Sequence, residues 1–136
     1  MSLNALVMSR SHASIRVLIS AFAELGIEYQ ISSSASEAAD VLAHSYHSAL
    51  IVDFDLPHSV QIAQAVRATP TLRPVIFGMI GAGTSIESAF LAGSNFVLYK
   101  PLDLLQVLHS LRAAQGFMRS GHMQPSRQQR AAVACL

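Results

Sequence analysis

Two short apolar runs of this chain end at residues that carry opposite charges. Residues 49–52 are followed by Asp53, and residues 96–99 are followed by Lys100 and Pro101. Continuous apolar runs of this length are typical of buried strands in a parallel sheet. Ligand chemistry in open α/β sheets collects at the carboxyl ends of such strands. We therefore expect the Asp53 carboxylate and the Lys100 ammonium to meet in one crevice.

The first apolar run, residues 5–8, brings no acid to this crevice. It is followed by Ser9 and Arg10. Magnesium and calcium ions are held by oxygen ligands, usually carboxylates. A site with one carboxylate and two cations is therefore a poor metal site.

Apolar runs and amphipathic stretches alternate along the chain, and this pattern predicts an α/β fold. It accommodates five strands and five helices in a doubly wound parallel sheet. Gly26 stands where a left-handed helix cap is expected. Ser34 with Glu37 and Thr84 with Glu87 have the spacing of capping boxes and predict the starts of two helices.

The composition favours one small soluble domain. The chain has 136 residues, of which 51% are hydrophobic and 12% are charged, with a net charge of +1 and no basic stripe, so a nucleic-acid interface is not expected. The single Cys135 excludes a disulfide framework and suits the cytoplasm. No apolar stretch has the length of a membrane span. We predict a domain over residues 1–118 and a polar tail, or a truncated linker, over 119–136.

Two segments resemble the receiver domains of bacterial two-component response regulators. Residues 53–57 read Asp-Phe-Asp-Leu-Pro, and Gly93 precedes the Lys100-Pro101 pair by seven residues. The resemblance covers residues 3–118 and implies a flavodoxin-like sheet of strand order 2-1-3-4-5. It places Asp53 at the phosphoacceptor position and Lys100 at the position of its lysine partner, before a cis Pro101. Asp55 would offer its backbone carbonyl, and its side chain is expected to be an ordinary loop acid.

The chain departs from active receivers in three functional features: the acidic pair, the hydroxyl residue and the switch aromatic. Ser9 and Arg10 stand where active members carry the two acids that hold Mg²⁺. Met79 replaces the hydroxyl residue after the fourth strand, and Val97 replaces the switch aromatic. The resemblance therefore implies a degenerate receiver, or pseudo-receiver, with weak or absent Mg²⁺ binding and no cofactor. We expect the Arg10 guanidinium to occupy the place of the cation beside Asp53.

These departures predict a non-catalytic signalling module rather than an enzyme. It would act in a two-component phosphorelay through contacts with a protein partner, which could be a histidine kinase or a second copy of the chain. Binding to nucleic acid or to a membrane is not expected. Receivers usually contact partners through the fourth helix, the fifth strand and the fifth helix. The residues expected on that face are Phe90, Phe96, Leu98 and Leu104.

Two other functions stay open at this point. In the first, Asp53 is a working phosphoacceptor and Arg10 replaces the charge of the metal. In the second, the chain is a small-ligand-binding α/β domain that uses the same crevice, which an open apolar pocket above Asp53 would reveal. We expect Met79 and Arg10 to fill that space instead. His44, His47 and His58 do not form a convincing set of converging zinc ligands.

Overall fold

β-Strands and α-helices alternate strictly in the computed structural model, which describes residues 3–120 of the chain. The strands are β1 (Leu3–Met8), β2 (Ile27–Ser32), β3 (Ala49–Asp53), β4 (Val75–Ile80) and β5 (Phe96–Tyr99). The helices are α1 (His12–Leu25), α2 (Ala35–His44), α3 (Ser59–Ala68), α4 (Ile86–Leu91) and α5 (Leu104–Ser120).

The strands form one parallel sheet of order β2-β1-β3-β4-β5. The predicted fold class and strand order are therefore confirmed. Because β2 and β3 lie on opposite sides of β1, the connections that follow β1 and β3 diverge to opposite faces of the sheet. Such a switch point opens a crevice at the carboxyl ends of these strands.

Helices cover both faces of the sheet and create two apolar layers. The first layer joins the sheet to α1 and α5 through large buried side chains such as Phe22, Phe77 and Leu111. The second layer lies under α2, α3 and α4 and contains Leu50 and Val52. Since β3 is buried along its whole length, its residues are apolar on both faces until the chain reaches Asp53.

Short-range signals set most of the helix ends. The Ser34 hydroxyl caps α2 by accepting a hydrogen bond from the Glu37 N–H at 3.1 Å, and Gly26 ends α1 with φ of 69°. The cap of α4 is Ser85 rather than Thr84, one residue later than the sequence spacing predicted.

The last helix runs two residues past the predicted domain boundary of 118. The predicted tail beyond Ser120 lies outside the described residues. None of the helices within residues 3–120 has both the length and the apolar character needed to cross a membrane.

Candidate functional site

Asp53 lies at the centre of the carboxyl edge of the sheet. It is the last residue of β3, the middle strand, and it pairs in register with Met79 of β4. β3 lies between β1 and β4 in the sheet, and Asp53 is only 2% exposed. A carboxylate this deeply buried requires hydrogen-bond donors or a cation close by.

Three donors engage the two oxygens of this carboxylate. Asp53 Oδ1 lies 2.6 Å from Lys100 Nζ and accepts the Asp55 N–H at 3.0 Å. Asp53 Oδ2 accepts the Ser9 hydroxyl at 2.7 Å. The predicted pairing of Asp53 with Lys100 is thus present, and the protein itself satisfies both carboxylate oxygens.

Lys100 bridges two acids. Its ammonium also lies 2.7 Å from Asp55 Oδ2, so the Asp55 side chain is part of the site and not the ordinary loop acid that we expected. Burial by itself lowers the pKa of Lys100, but the hydrogen bonds and charges of Asp53 and Asp55 outweigh it and raise that pKa above its usual value. Lys100 therefore stays positive throughout the neutral range. The Lys100-Pro101 peptide bond is cis.

Ser9 and Arg10 have different surroundings although they are adjacent. Ser9 is 1% exposed, and besides its bond to Asp53 its hydroxyl accepts the Ser11 N–H at 3.0 Å. Arg10 is exposed, and among the described residues the cation within ion-pair distance of Asp53 is Lys100 alone. The expectation that Arg10 replaces the metal cation at Asp53 is not met. Burying a guanidinium there would cost desolvation beside an ammonium that already neutralises the carboxylate.

Met79 fills the position where the resemblance expects a hydroxyl. It is fully buried in the first apolar layer, together with Phe77 and Leu98. A thioether is at best a weak acceptor and has no hydrogen to donate. The structure therefore brings Ser9, Asp53, Asp55 and Lys100 together. It places Met79 in register beside Asp53 with its side chain in the core, and it leaves Arg10 exposed.

The donor set does not fit Mg²⁺. That ion demands near-octahedral oxygen coordination and is usually held by carboxylates. Within residues 3–120 no group of three or more His, Cys, Asp and Glu side chains could hold a metal ion. The two acids that do come together, Asp53 and Asp55, share the ammonium of Lys100.

Phe96 and Val97 are neighbours in β5, and their side chains lie on opposite faces of the sheet because side chains alternate along a strand. Phe96 packs in the first apolar layer and stacks on Phe77, with ring centroids 5.2 Å apart. Val97 packs against the second layer and is partly buried. No aromatic ring therefore occupies the switch position of β5.

The predicted contact face is only partly exposed. Leu98 is 1% exposed and belongs to the core, so it is not available to a partner, and Phe96 and Phe90 are half-buried. Leu104 is 40% exposed. The sequence prediction missed the most exposed apolar side chains of α4, β5 and α5, which are Leu91, Tyr99 and Leu105. Strand alternation could have identified Tyr99, because its neighbour Leu98 points into the core.

Neither a family model nor a curated protein matches this chain. Solved structures do. The signal receiver domain of an HD domain-containing protein from Pseudomonas fluorescens has a TM-score of 0.77 at 18% identity, covering 88% of this chain and 99% of that one. The chemotaxis response regulator CheY4 of Vibrio cholerae has a TM-score of 0.73 at 18% identity, covering 83% and 98%. The receiver domain of the TMAO respiratory system response regulator TorR has a TM-score of 0.74 at 16% identity, covering 85% and 98%.

These likenesses show that the chain has the fold of response regulator receiver domains.

Proposed function

We propose that this chain is a receiver-like signalling module of a bacterial two-component system. It acts in the cytoplasm through protein–protein contacts, and Mg²⁺-dependent phosphorylation of its Asp53 is impaired. The proposal rests on the ion pair and hydrogen bonds of the Asp53 carboxylate. Its carboxylate is neutralised by Lys100 and hydrogen-bonded by Ser9 and the Asp55 N–H. No second acid reaches it from the end of β1.

The chemistry of phosphoryl transfer supports this proposal. An attacking carboxylate must direct an oxygen lone pair at phosphorus, and positive charge must stabilise the equatorial oxygens of the transferred group. Here both Asp53 oxygens already accept hydrogen bonds, and the ammonium of Lys100 is shared with Asp55. A phosphoryl group would have to displace these partners without a metal ion to compensate.

The route by which a receiver transmits phosphorylation also lacks its parts. Met79 offers no hydroxyl to grip a phosphoryl group, and Val97 offers no aromatic ring that would move in response. Both side chains pack in the apolar layers of the sheet. We infer that the contact surface stays in one state, which partners or oligomerisation set.

The contact surface that we propose consists of α4, β5 and the start of α5. Leu91 is 84% exposed, Leu105 is 73% exposed and Tyr99 is 48% exposed. The partner that fits such a surface is a protein with a complementary apolar patch, which includes a second copy of this chain or a histidine kinase.

The chemical part of the proposal is tested with acetyl phosphate and Mg²⁺. We expect the intact mass and the backbone amide spectrum to stay unchanged. A saturable, Mg²⁺-dependent shift around Asp53 with a gain of one phosphoryl group, lost in Asp53→Asn, would overturn the proposal in favour of a working phosphoacceptor. As a positive control, Ser9→Asp with Arg10→Asp restores two carboxylates and should introduce Mg²⁺-dependent shifts.

The contact part is tested by sedimentation. We expect Leu91→Asp with Leu105→Asp to abolish concentration-dependent self-association, or binding to a cognate kinase, with unchanged folding. Val60→Asp is the matched control, because Val60 is 40% exposed on α3, away from this surface. Equal effects of the two changes would refute the assignment of the surface.

A further inference from the structure

A cavity of about 200 Å³ opens beside the candidate site without including Asp53 or Lys100. Its walls are Arg10, residues 33–36 at the start of α2 and residues 56–58 after β3. These segments follow β1, β2 and β3, so the cavity lies at the switch point of the sheet. Ligands of open α/β sheets bind in that position.

The floor of this cavity is apolar and fixed by the core. Leu56 is 9% exposed and packs in the second apolar layer, where Ala35 also contacts it. Pro57 continues the same wall. An apolar group placed on this surface would be removed from water, which favours binding roughly in proportion to the area covered.

Arg10 supplies the polar end of the cavity. Its guanidinium makes no ion pair or hydrogen bond with the rest of the described chain. By contrast, Lys100 pairs with Asp53 and Asp55, and Arg67 donates hydrogen bonds to the Gly93 carbonyl and the Asn95 side chain. A guanidinium presents a planar set of donors that matches a carboxylate or a phosphate in a two-point contact. Its donors are thus available at the mouth of an apolar cavity.

A buried hydroxyl lies next to the same wall in the sequence. Ser32, which precedes residues 33–36, is 1% exposed, and its Oγ has no hydrogen-bond partner within residues 3–120. Buried polar groups are seldom left without partners. Unused hydrogen-bonding capacity is therefore present one residue before the segment that lines the cavity.

We propose that this cavity binds a small organic anion, with its carboxylate or phosphate group on Arg10 and its apolar body against Ala35, Leu56 and Pro57. A cavity of this size accommodates an apolar body such as a single ring. Arg10 is bonded in the chain to Ser9, whose hydroxyl holds Asp53. The proposal does not depend on whether Asp53 is phosphorylated, so the two can fail separately.

The test uses simple probes in the absence of Mg²⁺. Benzoate, phenyl phosphate, inorganic phosphate and neutral benzyl alcohol are titrated into ¹⁵N-labelled protein at constant ionic strength. We expect saturable amide shifts confined to residues 10, 33–36, 56 and 58 with benzoate or phenyl phosphate. Inorganic phosphate and benzyl alcohol should bind at least tenfold more weakly, because phosphate lacks the apolar ring and benzyl alcohol lacks the negative charge. The tighter of the two aromatic anions identifies the anionic group.

Two variants separate the contributions of charge and space. Arg10→Gln should weaken binding of the better aromatic anion at least tenfold, while Arg16→Gln, which removes an exposed arginine of α1, should not. Ala35→Leu fills the cavity without changing charge and should also abolish binding. Shifts that do not saturate, shifts spread over all the arginines, or equal affinity in wild type and Arg10→Gln would overturn the proposal.

Discussion

The Lys100→Met variant measures how strongly the buried ion pair supports the fold. Asp53 is 2% exposed and the Lys100 side chain is 16% exposed, and removal of one partner from a buried pair costs about 3–5 kcal/mol. The Ser9 hydroxyl and the Asp55 N–H remain on the Asp53 carboxylate, and each such bond contributes about 1 kcal/mol net. These bonds persist in the variant and keep the carboxylate hydrogen-bonded, so we expect Lys100→Met to reduce the free energy of unfolding by about 3 kcal/mol, the lower end of that range.

A double-mutant cycle assigns this loss to the pair itself. In an Asp53→Asn background the buried negative charge is absent, so Lys100→Met should cost only its half-exposed contact with Asp55, less than about 1 kcal/mol. The coupling energy between Asp53 and Lys100 is then about 2–3 kcal/mol, within the range for residues in contact.

Urea denaturation at neutral pH checks both values, provided that the slope with denaturant is the same in all variants. Arg16→Met serves as the control, because it removes an exposed positive charge and should change stability by less than about 0.5 kcal/mol. If Lys100→Met costs no more than this control, or costs the same in both backgrounds, the ion pair does not stabilise the site as we argue.

Two further predictions concern packing and pH. Gly78→Ala should destabilise the fold by about 1–3 kcal/mol, because the added methyl group would collide with the Phe54 ring and the Ser94 hydroxyl. Gly83→Ala is the control, since a methyl group there meets nothing within 4 Å. Equal urea midpoints for the two variants would refute the collision. Burial lowers the pKa of His47 below its ordinary 6.5, so the unfolded state takes up a proton more readily than the folded state. The free energy of unfolding should therefore decrease as the pH drops below about 6.5, by at most about 1.4 kcal/mol per pH unit. Denaturation at several pH values should show a shallower fall in His47→Gln, and parallel curves would contradict the assignment.

The sequence predicted the residues of the site whose positions are determined by the ends of strands. Asp53 and Lys100 each follow a continuous apolar run, and parallel strands bring their carboxyl ends to the same edge of the sheet. Their meeting therefore depends on topology and not on side-chain detail. The strand order needed the additional information of the family resemblance, because an alternating pattern alone does not say on which side of β1 the later strands pair.

The parts that the sequence did not predict depend on where individual side chains turn after a strand has ended. Ser9 and Arg10 follow β1 directly, and one is buried against Asp53 while the other is exposed. Periodicity gives no information there, because the regular alternation stops with the strand. The outcome follows from desolvation, which a short hydroxyl bonded to a carboxylate tolerates better than a guanidinium does.

Gly78 illustrates a second kind of information that a sequence does not contain. Its lack of a side chain leaves the space that the Phe54 ring occupies, although the two residues are on different strands or loops and 24 positions apart in the numbering. The close approach is visible once the register of β3 and β4 is known.

The identity of the neutralising group has consequences for how this fold can respond to a signal. A divalent ion exchanges with solvent, whereas the Lys100 ammonium is part of the chain and remains beside Asp53 and Asp55 at neutral pH. Under the function we propose, the electrostatic state of the site does not depend on metal concentration. Under our two proposals, a change of state would enter through the Arg10 cavity at the switch point or through the surface of α4, β5 and α5. These two regions lie toward opposite edges of the sheet, and Ser9, Asp53 and Lys100 form the hydrogen-bonded line between them. Ser9→Ala breaks this line at Asp53 Oδ2 and should therefore shift the amide signals of Asp53, Asp55 and Lys100, while the shifts produced by an anion at Arg10 stay confined to the cavity and its affinity stays unchanged.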